Sequence, residues 1–273
     1  MHATNPIVDS NAAARMRMQV TAGEPLFLAD WDRALFMHYE VSAADLQRFI
    51  PLELDVWNGR AFISLVAFTM SHFRLKVGGC FTRWLTLPVS THEFLNVRTY
   101  VRHRGEMGIF FLAEWVPNRV SRALGPVTFG LPYRLGRLRY DHGSEVDGMS
   151  GEVTDATTRS RFAYHGVACG FDFDSCTDGS LDAFLLERYT AFTAASRAQR
   201  FFRIWHRPWP QVRAQVNVTE ASLIDEAWAG LSRATLHSAH FSQGVRDVWM
   251  GRPHRMTPSR LGARRLSAFF EMP

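Results

Sequence analysis

The stretch RAFISLVAFTMSHFR, residues 60–74, is almost continuously apolar and rich in aromatic and branched side chains. Such a run suits a buried strand. A buried strand needs partners, and the rest of the chain offers many. WDRALFMHYEV (31–41) reads as a strand, after which Ser42 caps a short helix, AADLQRFI, that stops before Pro51. KVGGCFTRW reads as a loop. THEFLNVRTYVRHR (91–104) and MGIFFLAEWV (107–116) flank an Arg-Gly-Glu turn and predict a hairpin. Asn118 is an N-cap for a short helix, NRVSRALG, that ends near Gly125-Pro126. RLGRLRYDHG, GEVTDATT and RFAYHGVACGF follow as further strands. SLDAFLLE is a helical turn or two, and RYTAFTA, QRFFRIWHR, AQVNVTEA and VRDVWMG complete the β elements.

Many strands, few short helices and no regular βαβ alternation argue against a doubly wound sheet. They predict a mostly β or α+β domain, antiparallel in the main, with a closed barrel as one solution. In proteins of this type a small ligand sits inside the barrel or at its mouth. The domain is expected over residues 26–252, between a polar, loose tail at 1–25 and a second tail at 253–273.

Composition narrows the class. A hydrophobic fraction of 47% with 21 Phe and 8 Trp excludes a disordered or fibrous chain. No apolar run reaches about 18 residues, the length a membrane span needs. The N-terminus lacks the apolar stretch of a signal peptide, so a cytoplasmic protein with no membrane partner is expected. Cys80, Cys169 and Cys176 neither pair evenly nor show CxxC spacing, so neither a disulfide framework nor a thiolate zinc site is expected. The net charge is +5, and Lys76 is the only lysine beside 30 arginines. These arginines are scattered among 26 acids, with ARR at 263–265 the one basic block, so nucleic acid is not an expected partner. Leu266, Phe269 and Phe270 want an apolar surface, either on a second copy in a homodimer or on the chain's own body.

In THEFLNVRTYV, strand alternation puts His92, Phe94, Asn96, Arg98 and Tyr100 on one face and Glu93, Leu95, Val97, Thr99 and Val101 on the other. Glu93 enters a face that is apolar apart from it and Thr99. It either pairs with an arginine or serves as an acid/base group with a raised pKa. Asn96, Arg98 and Tyr100 are a polar ladder, read equally as a solvated face or a ligand-binding wall, with His92 beside them. His206, in the rigid WHRPWP stretch, is either a satisfied structural residue or a base; Trp209 there and Tyr189 in LERY are ligand-binding candidates. HSAH (237–240) lacks a third ligand, and no metal site is expected. There is no GxSxG elbow, phosphate loop or dinucleotide fingerprint, and no cofactor is expected.

The segments WDRALFMHYEV…FIPLELDVWNGRAFISLVAF, HEFLNVRTYV, GIFFLAEW, FGLPYRLGRL, FLLERY and HRPWP, in this order, resemble the DUF2071 family (the YqjF-like proteins) over about residues 30–250. That family looks related to the acetoacetate decarboxylase-like superfamily. The resemblance implies a closed antiparallel β-barrel around a small cavity, flanked by further sheet and short helices. In acetoacetate decarboxylases a Pro-Lys-Lys stretch carries the catalysis. Its first lysine forms a Schiff base with the keto acid, and its neighbour and an apolar setting depress its pKa. Aligned on the shared proline and the following Leu-Gly, those positions fall on Tyr133 and Arg134, neither of which forms an imine. Schiff-base decarboxylation is therefore not expected. Arg134 would fork onto a carboxylate or enolate and Tyr133 would polarise a carbonyl. With Glu93 or His206 as base, that set suits enolisation, hydration or a lyase step on a small carbonyl compound. The alternatives are a barrel that only holds or senses an acidic or aromatic metabolite, and an Arg134 buried in a structural ion pair.

Overall fold

The computed structural model describes residues 7–144, 148–195, 198–227 and 234–256. The chain opens with helix α1 (Ile7–Val20), then strand β1 (Phe27–Val41), helix α2 (Ala43–Arg48), the short β2 (Glu53–Leu54) and β3 (Ala61–Leu75). Helix α3 (Gly79–Thr86) and a 3₁₀ turn (Leu87–Val89) lead into β4 (His92–His103) and β5 (Glu106–Val116). Helix α4 (Arg119–Thr128) precedes the meander β6 (Tyr133–Ser144), β7 (Gly148–Asp155) and β8 (Arg161–Ala168). Helix α5 (Leu181–Leu186), strands β9 (Thr190–Ala195), β10 (Ala198–Trp205) and β11 (Gln211–Glu220), helix α6 (Ser222–Ala227), β12 (Thr235–Met250) and β13 (His254–Arg255) complete it.

The strands form one sheet that closes on itself twice. A ring runs β4-β5-β6-β7-β8-β11-β12-β1-β3 and back to β4. A second leaves β5 through β9 and β10 and returns by a β10–β12 pairing, so both rings share β12, β1, β3, β4 and β5. The shared strands have a core on each face. Leu35, Met37, Leu65, Ala67, Leu95 and Val97 enter the core of the larger ring. Their chain neighbours Ala34, Phe36, Val66, Phe68 and Phe94 enter the smaller one. This explains why 60–74 reads as continuously apolar: a strand buried on both faces loses the polar alternation. The fold is the strand-rich, barrel-like one expected.

Local chemistry sets the ends of the helices. The Ser42 hydroxyl accepts from the Asp45 amide at the start of α2, and the Asn118 side chain accepts from the amides of Val120 and Ser121 at the start of α4. Helix α4 runs to Thr128, past Pro126 where it was expected to stop. The proline removes one bond, to the Arg122 carbonyl, and Gly125 before it has no Cβ to clash with the ring. Gly130, at φ 72°, then ends the helix in the left-handed region, its amide bonded to the Pro126 carbonyl.

Three expectations are corrected. KVGGCFTRW is mostly helix α3 rather than loop. Residues 7–20 are not part of a loose tail, because α1 buries Ala14 and Met18 against Tyr189 and Trp205. Asn11 ties it down, donating to the Tyr189 hydroxyl and the His206 carbonyl and accepting from the Trp205 indole. At the other end, His254 and Arg255 pair with β10, so the sheet continues past residue 253. Leu266, Phe269 and Phe270 lie outside the described residues. Among the described residues no helix is long and apolar enough to cross a membrane.

Candidate functional site

Inside the smaller ring lies a cavity of about 300 Å³. Phe36, Phe68, Phe94, Phe111, Phe129 and Phe202 line its apolar wall, with Trp31 and Trp209. Leu85 and Val89 from the α3 region and Ser121, Leu124 and Gly125 from α4 close one side. Leu85 and Leu124 are also 53% and 55% exposed, which marks the mouth.

The polar groups converge at one wall. In β4 the alternation holds, and His92, Asn96 and Arg98 line the cavity. In β5 it breaks. Val97 pairs with Ala113 but Arg98 pairs with Phe111, leaving Leu112 as a bulge. The extra residue flips the strand's parity. Ile109 and Phe111 face the cavity before it, and Glu114 does so after it. Glu114 stands opposite Asn96 on one side and Tyr133 on the other, a row across three adjacent strands. The Glu114 amide donates to the Pro132 carbonyl, which starts that parallel pairing.

These groups are buried and incompletely partnered. Glu114 is 4% exposed, and its Oε2 has no hydrogen-bond partner. Burial pushes its carboxyl well above the ordinary carboxylate range, against the pull of Arg98. Burial also disfavours the charge on Arg98; its Nη2 donates to the Leu185 carbonyl at 3.4 Å, its Nε is unpartnered, and its guanidinium lies over Phe36. The Asn96 Oδ1 is free as well. The Tyr133 phenol is raised well above its usual value, by burial first and by Glu114 second. His92 is lowered to about 4 by burial, which outweighs a contact with the Val89 backbone, and its Nε2 lies 3.3 Å from the Ser121 hydroxyl.

His206 reaches the cavity from beyond β10, between Trp31 and Trp209. Its Nδ1 lies 2.7 Å from the Arg207 carbonyl, which requires a proton on that nitrogen and leaves Nε2 with its lone pair. Burial lowers its pKa, against the pull of Glu187 and of the Arg207 carbonyl, and Arg98 adds to the lowering.

The structure therefore brings Tyr133, His206, His92, Asn96, Arg98 and Trp209 together and leaves four other candidates elsewhere. Arg134 is exposed on the opposite side of β6, its guanidinium over Trp115, and does not enter the cavity. Glu93 faces away for the reason strand alternation gives; it is half-buried near Tyr140. Tyr100 lies beneath the site, donating to the Leu185 carbonyl and bonded to Ser64. Tyr189 donates to Glu187 under α1. Glu114 was not singled out from the sequence; Arg188, which the LERY stretch suggests as an ion-pair residue, also lines the cavity. Arg188 is held by Asp55 at 2.8 Å. Lys76 is exposed at the far end of β3, its Nζ bonded to the Glu24 carbonyl, so the cavity contains no lysine. No group of three or more His, Cys, Asp or Glu side chains placed to hold a metal occurs among the described residues.

Comparison with solved structures agrees with this architecture. An acetoacetate decarboxylase-like enzyme from Sphingomonas wittichii RW1 superimposes with a TM-score of 0.62 at 13% identity, covering 85% of this chain and 94% of that one. The enduracididine biosynthesis enzyme MppR, complexed with the condensation product of pyruvate and imidazole 4-carboxaldehyde, gives 0.62 at 13% identity over 85% and 89%. Acetoacetate decarboxylase from Legionella pneumophila gives 0.57 at 12% over 85% and 87%. In sequence, the uncharacterized protein YqjF of Bacillus subtilis (strain 168) is 28% identical over 200 residues, 71% of this chain and 78% of that protein. The DUF2071 model, an uncharacterized conserved protein, matches residues 28–246, and the chain belongs to that family.

Proposed function

We propose that the cavity binds a small, largely apolar or aryl-bearing carbonyl compound with a carboxylate or enolisable oxygen, and moves a proton on it without a Schiff base. The observation that carries this reading is the buried, unpartnered Glu114 carboxyl beside Arg98 in an aromatic cavity. Arg98 takes the negative charge of the bound oxygen, and Tyr133 and Asn96 hydrogen-bond the carbonyl. The His206 Nε2 accepts the proton from the carbon next to the carbonyl. The C–H electrons move into the new double bond, and the charge lands on the oxygen at Arg98. Glu114, kept protonated by burial, donates its proton to that enolate oxygen to give the enol, and the reverse transfers restore both groups. The pyruvate-derived ligand in the MppR structure supports a 2-oxo acid as the substrate class.

Phenylpyruvate in D₂O tests the reading, with exchange at C3 followed by NMR. Glu114→Gln and His206→Gln should each slow protein-catalysed exchange by roughly 10²-fold or more. Arg98→Met should abolish the thermal stabilisation that the ligand confers. Stabilisation with equal exchange in wild type and both variants would leave a binder or sensor in place of an enzyme. Stabilisation indifferent to Arg98→Met would remove the anion site.

A further inference from the structure

The cavity mouth carries a second feature that the proton chemistry does not use. Val77, Trp84, Leu85 and Leu87 before β4, and Leu124 and Val127 on α4, are all exposed, Trp84 at 66% and Val127 at 74%. The two segments are joined, since the Asn118 side chain donates to the Pro88 carbonyl. Folded proteins rarely leave so many large apolar groups together in water unless something covers them. The same rim is cationic. Residues 76–92 and 118–138 contain no Asp or Glu, and Lys76, Arg119 and Arg122 are exposed.

We infer that this rim docks on an anionic lipid surface, with the cavity mouth facing the bilayer. Apolar side chains and an interfacial tryptophan beside arginines are the groups such a surface takes up. A second copy fits less well, because segments that hold cations and no acid would bring only like charges together across such an interface. The mouth opens between the docking groups, so an apolar ligand passes from bilayer to cavity without crossing water. This departs from the expectation of no membrane partner, and it does not rest on the proton-transfer reading.

The test is co-sedimentation of the full chain with phosphatidylcholine vesicles, with and without phosphatidylglycerol. Wild type should pellet with the phosphatidylglycerol vesicles and stay in solution with phosphatidylcholine alone, and added salt should release it. Arg119→Gln with Arg122→Gln should lower partitioning about 30-fold. Trp84→Ser with Val127→Ser should lose binding too, with an unchanged melting temperature because both side chains are exposed. Failure of wild type to pellet with either vesicle, or undiminished pelleting of the Trp84→Ser/Val127→Ser variant, overturns the inference. So does a wild-type dimer, seen by sedimentation velocity, that the same variant splits, which would assign the rim to a second copy.

Discussion

Glu114 and His92 share a wall of the cavity, and burial perturbs them in opposite senses for stability. Burial raises the Glu114 carboxyl above its ordinary 4.5, so its contribution to folding is complete below that pH and is lost as pH rises through the folded value. Glu114→Gln cannot ionise. Its stability relative to wild type should therefore increase with pH above 4.5, as measured by urea denaturation across that range. His92 falls from 6.5 to about 4, so its contribution is present above 6.5 and is lost as pH drops towards 4. Across that window wild type should lose on the order of 3 kcal/mol relative to His92→Asn, the linkage expected of a histidine buried neutral. A flat difference between the two proteins would mean that His92 is hydrated in solution.

At the level of elements, the site depends on one bulge and one glycine. The bulge at Leu112 decides that Glu114 faces the cavity, and the missing Cβ of Gly125 leaves room for the Tyr133 ring. A Cβ on Gly125 would come within 2.3 Å of that ring. In an open helix, glycine to alanine gains about 1 kcal/mol. Gly125→Ala should instead lose roughly 1–3 kcal/mol by overpacking. Gly125→Ala with Tyr133→Ala should recover most of it, and a denaturation double-mutant cycle reads the coupling. Additive effects would show that Tyr133 does not occupy the space that Gly125 leaves.

Across the whole molecule, a buried ion pair ties segments far apart in the chain. Asp55, next to β2, accepts from Arg188 after α5 and from Arg102 on β4, each at 2.8 Å. Arg188 stacks on Phe184, 4.2 Å from guanidinium to ring centre. Asp55→Ala strands that buried charge and should cost about 3–5 kcal/mol in chemical denaturation. Adding Arg188→Met removes the charge as well as its partner and should return most of the loss. If the double variant is no better than the single one, the pair itself and not the stranded cation carries the stability.

Strand periodicity and capping residues are local, so the sequence by itself determined the strand-rich class, the β4–β5 hairpin, the capped starts of α2 and α4, and the polar face of β4. The motifs in order, from WDRALFMHYEV to HRPWP, carried the family. The cavity's composition was decided only by tertiary structure. Glu114 sits in an apolar run, GIFFLAEWV, where plain alternation assigns it to the Phe110 and Leu112 face, and only the pairing with β4 reveals the bulge that turns it round. Arg134 follows Tyr133 in the chain, and where the register is regular two consecutive residues of a strand face opposite sides. The docking of α1 depends on Tyr189, Trp205 and His206, nearly two hundred residues away, contacts that no local pattern encodes. Facing and pairing are properties of neighbours across the sheet. That is why the wall of the barrel and the polar face of β4 were legible in the sequence, while the entry of Glu114 and the exclusion of Arg134 were not.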